Sequence, residues 1–205
     1  MITLYWSPQS RAVRMFWALE EIGQPYELEL IDIRAEDRDD PPDFLAASPL
    51  RKVPALIDGK VKIADSAAIV LYLADRYAPG DLAPHPDDPA RGEFLTWLFY
   101  TPSVIEPAIT EKFCEIPSNP TAYPWGSFEK MLAALEARLT DREWIAADHF
   151  TMADFMVSGT IDFMSNFDIL DPSAVLKSYT ERCLTRPAAI RAKIKEQAAT
   201  KALAN

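Results

Sequence analysis

Two serines lie where a short apolar segment gives way to a helical pattern. Ser7 and Ser10 follow the β-prone residues 2–6 and precede a helical stripe of apolar residues that begins at Ala12. Serine at such a position commonly caps a helix, and capping alone would explain both residues. The start of a helix also carries unsatisfied N–H groups and a partial positive charge, so a hydroxyl there can hydrogen-bond to a bound thiolate. The sequence leaves both interpretations open.

Composition excludes several other chemistries. The six glycines are too scattered for a G-x-G-x-x-G or G-x-x-x-x-G-K-[ST] phosphate loop. Two histidines and two cysteines give no spacing suited to a zinc site or a disulfide framework, so we expect no metal. A formal net charge of −10 argues against nucleic acid or an anionic membrane as a partner. No apolar stretch approaches the roughly 18 residues of a membrane span and the first residues do not resemble a secretory signal, which predicts a cytoplasmic protein.

The elements that position the serines follow from the spacing of apolar residues. Alternating or apolar runs predict strands at residues 2–6, 26–31, 54–57 and 60–64, with a tight turn at 58–59 between the last two. Helical spacing predicts one helix from Ala12 to Gly23 and another from an Asp65-Ser66 cap to Pro79. Charged residues 32–43 predict a solvated connection or a short irregular helix. The first part of the chain thus predicts the order β-α-β-α-β-β-α.

A proline-rich segment separates this unit from a second half that contains only helical patterns. These patterns occur at residues 90–115, 127–140, 151–168, 173–185 and 187–200. The spacing of Thr151 and Asp154 predicts a capping box with Asp in place of Glu, and replacing Asp154 by Ala should cost roughly 0.5–2 kcal/mol. We therefore predict a domain over residues 1–78, a linker over 79–87 and an all-helical domain over 88–205.

Four motifs in this order resemble the cytosolic glutathione transferases, in particular their serine-type, bacterial-like members. The motifs are YWSPQSR at residues 5–11, SPLRKVPAL at 48–56, DSAAI at 65–69 and FTMAD at 150–154. The resemblance implies an α/β plus all-α fold, with a thioredoxin-like N-terminal domain followed by an all-helical C-terminal domain.

The resemblance also implies a role for the first turn. In serine-type members, a serine at this position hydrogen-bonds to the thiolate of glutathione. Ser7 matches that serine, and Ser10 is the alternative. Tyr5 is a third candidate, because other branches of the family use a tyrosine near the end of the first strand.

Further glutathione-binding residues are implied by the second and third motifs. The resemblance implies a cis Val53–Pro54 bond, which turns the backbone of Val53 toward the cysteinyl part of glutathione. Ser66 and the helix N-terminus would hold the γ-glutamyl carboxylate, and Asp65 would face the ammonium group. The glycyl carboxylate would meet Lys52, or else Arg51.

The expected function is that of a glutathione transferase in detoxification. It would bind reduced glutathione as co-substrate, stabilise its thiolate and conjugate it to a small electrophile in an apolar pocket, without a metal and as a homodimer. A glutathione-dependent isomerase, dehalogenase or peroxidase is one alternative, although the first turn lacks the cysteine of the zeta-type isomerases. A non-catalytic transferase-like binding or interaction protein is the other.

Overall fold

The sheet is built around β1 (Ile2–Trp6), which is its most buried strand. β1 pairs in parallel with β2 (Tyr26–Leu30) and antiparallel with β3 (Ala55–Asp58), which forms a hairpin with β4 (Val61–Ala64). The strand order β2-β1-β3-β4 leaves β2 at one edge. Most side chains of β2 are exposed, whereas their alternation predicts a half-buried strand. The structure is a computed structural model that describes residues 1–203.

Three helices complete the order predicted for the first part of the chain. α1 (Met15–Ile22) continues from a 3-10 turn at Arg11–Arg14 and ends at Gly23, whose φ of 65° is a left-handed conformation that glycine adopts without strain. α2 (Pro42–Ala47) is a short helix after the charged connection, and α3 (Ser66–Tyr77) follows the hairpin. The order β-α-β-α-β-β-α of a thioredoxin-like domain is thereby confirmed.

The turn of the hairpin differs by one residue from the prediction. The sequence pattern places it at residues 58–59, but Asp58 is still paired in the ladder and the turn occupies residues 59–60. Gly59, whose φ of 61° is left-handed, takes the first position of the turn. Asp58 at the end of β3 is in contact with α3, where Tyr72 and Tyr77 donate hydrogen bonds of 2.8 and 2.5 Å to its carboxylate. Burial alone would raise the pKa of Asp58, but these hydrogen bonds outweigh it and lower the pKa.

Contacts between residues divide the chain into two compact units. One contains Met1–Ala78 together with the chain from Pro187 onward, and the other contains Pro79–Arg186. The first unit includes the final helix, α9 (Pro187–Ala202), because this helix packs against α1. The amphipathic pattern gives no indication of that partner, since it shows only which positions are apolar.

The second unit is helical. Its α-helices are α4 (Ala90–Tyr100), α5 (Glu106–Phe113), α6 (Phe128–Leu139), α7 (Met152–Asn166) and α8 (Ala174–Leu184). The single pattern over residues 90–115 is two helices joined by a π-helical turn at Thr101–Ile105, where Pro102 has no N–H to donate. Across residues 1–203, no helix combines the length and the apolar character that crossing a membrane requires.

The predicted capping box opens α7. Thr151 accepts a hydrogen bond from the Ala153 amide, and Oδ2 of Asp154 accepts one from the Thr151 amide. Oδ1 of Asp154 accepts two more, from the amide of Ile145 at 2.8 Å and the hydroxyl of Tyr179 at 3.0 Å. Asp154 therefore joins three segments of the second unit.

Candidate functional site

The register of the sheet brings three predicted segments to the same end of the strands. Tyr5 pairs with Ala55, and Ala55 pairs with Ala64, so the end of β1, the start of β3 and the end of β4 are level with one another. The chain leaves β1 into the first turn, enters β3 from the Val53–Pro54 bond, and leaves β4 into the cap of α3. All the predicted site residues therefore lie within Met1–Ala78 and beside the same end of the sheet.

The two serines of the first turn have different surroundings. Ser10 is the N-cap of the 3-10 turn, since its hydroxyl accepts a hydrogen bond from the Ala12 amide and donates one of 2.7 Å to the carbonyl of Ser7. Ser7 is buried, with 2% of its surface exposed. Among the hydrogen bonds found in residues 1–203, none involves the Ser7 hydroxyl. The hydroxyl of Ser10 is thus committed to the backbone, and that of Ser7 is not.

Tyr5 lies in the core. Its ring packs 5.3 Å from the ring of Phe44, in a cluster that includes Ile31 and Ala47. Burial raises the pKa of Tyr5, and the negative charges of Asp43 and Glu29 raise it further. The raised pKa keeps the phenol protonated, and the packing against Phe44 holds the ring within this cluster.

The peptide bond between Val53 and Pro54 is cis, as the resemblance implies. Lys52, the residue before Val53, is held by the side chain of Ser48. The Ser48 hydroxyl accepts a hydrogen bond from the Lys52 amide at 2.9 Å and donates one of 2.8 Å to the Lys52 carbonyl. Ser48 is itself buried. The approach to β3 therefore has a fixed backbone.

Arg51 and Lys52 are the two alternatives for the glycyl carboxylate, and they differ in their ion pairing. The guanidinium of Arg51 forms an ion pair with Asp40, with Nε 2.7 Å from Oδ2. Lys52 is exposed, and in the described part of the chain its ammonium group has no ion pair. An incoming carboxylate would find Lys52 available and Arg51 already occupied.

The cap of α3 carries unusual backbone geometry. Asp65 has φ 77° and ψ 133°, a region that non-glycine residues rarely adopt and that costs about 1–3 kcal/mol. Its Oδ1 accepts hydrogen bonds from the amides of Ala67 and Ala68, at 2.9 and 3.2 Å. Both bonds use the same oxygen, so Oδ2 has no hydrogen-bond partner in residues 1–203. Ser66 is the first residue of α3 and is buried.

Sequence reasoning did not single out Asp40 or Ser48. Ser48 falls inside the second motif, directly after α2, so the motif itself was a usable signal. Asp40 lies in the charged connection, where no local pattern indicates that it pairs with an arginine later in the chain. Within residues 1–203, no group of three or more His, Cys, Asp or Glu side chains is placed to hold a metal ion.

Comparison with known proteins matches the first part of the chain and the helical part to two separate family models. Residues 6–76 match the family model for the N-terminal domain of glutathione S-transferases, and residues 122–182 match the model for their C-terminal domain. The chain is 36% identical to glutathione S-transferase 3 of Schizosaccharomyces pombe over 110 residues, which are 53% of this chain and 44% of that protein. The alignment thus spans less than half the length of that relative.

Two other relatives align over nearly the whole chain. The disulfide-bond oxidoreductase YfcG of Escherichia coli is 26% identical over 211 residues, which cover 96% of each protein. Among solved structures, a sphingomonad glutathione S-transferase complexed with glutathione is similar, with a TM-score of 0.73 and 25% identity over 95% of this chain and 98% of that one.

Proposed function

Because the chain belongs to the glutathione S-transferase family, we propose that it binds reduced glutathione within residues 1–78, at the end of the sheet where β1 and β4 finish. It then joins the glutathione sulfur to an electrophilic, apolar substrate. The observation that carries the proposal is the shared register of Tyr5, Ala55 and Ala64, since it brings the first turn, the cis-proline segment and the cap of α3 to one place. The glutathione bound to the sphingomonad relative supports the choice of ligand.

Thiolate stabilisation is assigned to Ser7. A free thiol has a pKa of about 8.5, and bringing it to about 6.5 corresponds to about 2.7 kcal/mol. A hydrogen bond to a charged group contributes roughly 1.5–3 kcal/mol, so one donor together with the nearby helix N-terminus is enough to lower the thiol pKa by this amount. The Ser7 hydroxyl is uncommitted, whereas Ser10 already donates to the Ser7 carbonyl.

The remaining groups match the charges of glutathione. The backbone of Val53 would pair with the cysteinyl residue as an added strand does. At the start of α3, Ser66 and the helix N-terminus would hold the γ-glutamyl carboxylate, and the free Oδ2 of Asp65 would accept from the ammonium group. Lys52 would meet the glycyl carboxylate. Each charged group of the ligand then has an opposite partner, which matters for an anion that approaches a protein of net charge −10.

The direct test measures binding and turnover separately. Isothermal titration with reduced glutathione should show saturable binding, and a chloronitrobenzene should be conjugated in a glutathione-dependent reaction. Absence of glutathione binding by the folded protein would contradict the proposal. Binding without turnover across a panel that adds a haloalkane and a hydroperoxide would instead support the non-catalytic alternative.

Glutathione-dependent disulfide reduction is the second candidate, and the alignment with YfcG over 96% of both chains favours it. In that reaction, a glutathione thiolate attacks a substrate disulfide and releases one substrate thiolate. A second glutathione then attacks the mixed disulfide, which releases the other thiolate and leaves oxidised glutathione. Both cysteines of the chain, Cys114 and Cys183, lie outside residues 1–78, so the sulfur chemistry would belong to glutathione. Faster turnover of hydroxyethyl disulfide than of any electrophile would favour this reaction.

A cytoplasmic homodimer is part of the proposal. Members of this family pair about a two-fold axis, with the thioredoxin-like domain of one subunit facing the helical domain of the other. Light scattering should give twice the mass of one chain, 23.0 kDa. A monomer at working concentration would contradict this part of the proposal alone.

A further inference from the structure

A buried carboxylate holds together the segment that leads into the cis-proline bond. Oδ2 of Asp40 lies 2.7 Å from Nε of Arg51 and 3.1 Å from Nη2 of Arg38. Only 4% of the Asp40 side chain is exposed. A carboxylate so withdrawn from water needs such partners, because an unpaired charge in this position is strongly unfavourable. We refer to Arg38, Asp40 and Arg51 as the Asp40 clamp.

The two arginines of the clamp also bind each other's backbone. Nη2 of Arg38 donates a hydrogen bond of 3.0 Å to the carbonyl of Arg51, and Nη2 of Arg51 donates one of 2.9 Å to the carbonyl of Arg38. Arg51 has a φ of 54°, in the left-handed region that non-glycine residues seldom occupy. The reciprocal hydrogen bonds fix this conformation from the side of the charged connection.

The clamp acts on the two residues that follow it. Lys52 and Val53 come directly after Arg51, and the Ser48 hydroxyl holds both backbone groups of Lys52. The clamp and Ser48 therefore restrain this short segment from different sides. Of the two neighbouring cations, Arg51 is paired with Asp40, so the ammonium of Lys52 is the one available to a ligand carboxylate.

We propose that Asp40 is a positioning residue for glutathione: by holding Arg51, it places Lys52 for the glycyl carboxylate and the Val53 backbone for the cysteinyl residue. The inference rests on the proposed function, since it names the residue that orients part of that same site. Asp40 does not touch the ligand. Its effect is on affinity, and the sulfur chemistry at the first turn is separate from it.

The test compares Asp40→Asn with Asp43→Asn. Asp43 is a matched control, because it lies three residues away and forms an exposed ion pair with Lys62. Loss of the clamp should raise the Kd and KM for glutathione about 10-fold or more, as expected when a binding group is misplaced, while kcat at saturating glutathione and the pKa of the bound thiol stay near wild type. The control should match wild type.

Two further measurements separate positioning from a general loss of structure. Lys52→Met should weaken binding in the wild-type background and add little in the Asp40→Asn background, because the clamp acts through Lys52. γ-Glutamylcysteine, which lacks the glycyl carboxylate, should lose less affinity than glutathione when Asp40 is replaced. If Asp40→Asn does not fold, Arg38→Met removes only one arm of the clamp and should give a smaller loss of the same kind.

The outcomes that overturn the inference are specific. A folded Asp40→Asn that binds glutathione as wild type does would show that the clamp does not position the site. Tighter binding would show that the freed Arg51 takes the carboxylate itself, which also overturns the inference. A wild-type protein that does not bind glutathione contradicts the proposed function, and that result precedes any comparison of variants.

Discussion

At the scale of single residues, two hydroxyls in one turn are predicted to do different work. Ser10 caps the 3-10 turn and binds the Ser7 carbonyl, so Ser10→Ala should lower the free energy of unfolding by roughly 0.5–2 kcal/mol, as for other caps. The pKa of bound glutathione should stay close to its wild-type value. Urea unfolding and the ultraviolet absorbance of the thiolate measure the two effects. A Ser10→Ala protein of unchanged stability in which the thiol pKa rises would make Ser10 the activating residue.

Prediction of the site from sequence also depended on single residues. The first turn and the cap of α3 could be predicted, because serine and aspartate directly before a helical stripe are typical helix caps. Lys52 was already preferred to Arg51 through the resemblance, but no local pattern shows a structural reason for that preference. The reason lies in Asp40, which pairs with Arg51 from 11 residues away, and no periodicity encodes such a contact.

At the scale of elements, the start of α7 is more than a cap. Asp154 is fully buried and accepts hydrogen bonds from Ile145, Thr151 and Tyr179. Asp154→Ala would leave these donors without a partner, so the cost should be about 3 kcal/mol or more, above the range that capping alone predicts. Burial raises the pKa of Asp154 despite these hydrogen bonds.

The control for Asp154→Ala is Ser127→Ala. Ser127 caps α6 with one hydrogen bond, to the Lys130 amide at 3.3 Å, and its loss should cost only about 1 kcal/mol. Chemical denaturation of both variants gives the comparison. Equal losses would show that the extra hydrogen bonds of Asp154 add nothing to stability.

The elements themselves were largely predictable, and the exceptions share a cause. Strand and helix periods report which side chains are apolar, but not which neighbour covers them. β2 alternates like a half-buried strand, yet most of its side chains are exposed, and α9 packs against α1 although nothing in its own pattern indicates that partner. Both differences arise from tertiary contacts.

At the scale of the whole molecule, α1 from the first part of the chain and the last helix, α9, pack together in the first unit. Glu20 of α1 binds Arg191 and Lys195 of α9 at 3.1 and 2.5 Å, and it accepts a hydrogen bond from Tyr26. Burial alone would raise the pKa of Glu20, but the hydrogen bonds from Lys195, Arg191 and Tyr26 outweigh it and lower the pKa.

This contact predicts a pH dependence of stability. Because the pKa of Glu20 is lower in the folded state than in the unfolded state, where it is about 4.3, its contribution is fully present above that value and is lost as the pH falls through the folded-state pKa. The difference in unfolding free energy between wild type and Glu20→Gln should therefore be largest near neutral pH and shrink in acid. Urea unfolding across this range measures it, with Glu27→Gln on the exposed strand β2 as the control. A difference that does not change with pH would contradict the role assigned to Glu20.

The central claim is that Ser7 stabilises the thiolate of bound glutathione. The most direct measurement is a titration of the bound thiol, by its ultraviolet absorbance, in wild type, Ser7→Ala and Ser10→Ala. We predict a pKa well below the free-thiol value of about 8.5 in wild type and in Ser10→Ala, and a return toward about 8.5 in Ser7→Ala with glutathione still bound. A Ser7→Ala protein that binds glutathione with the same thiol pKa as wild type would contradict the account.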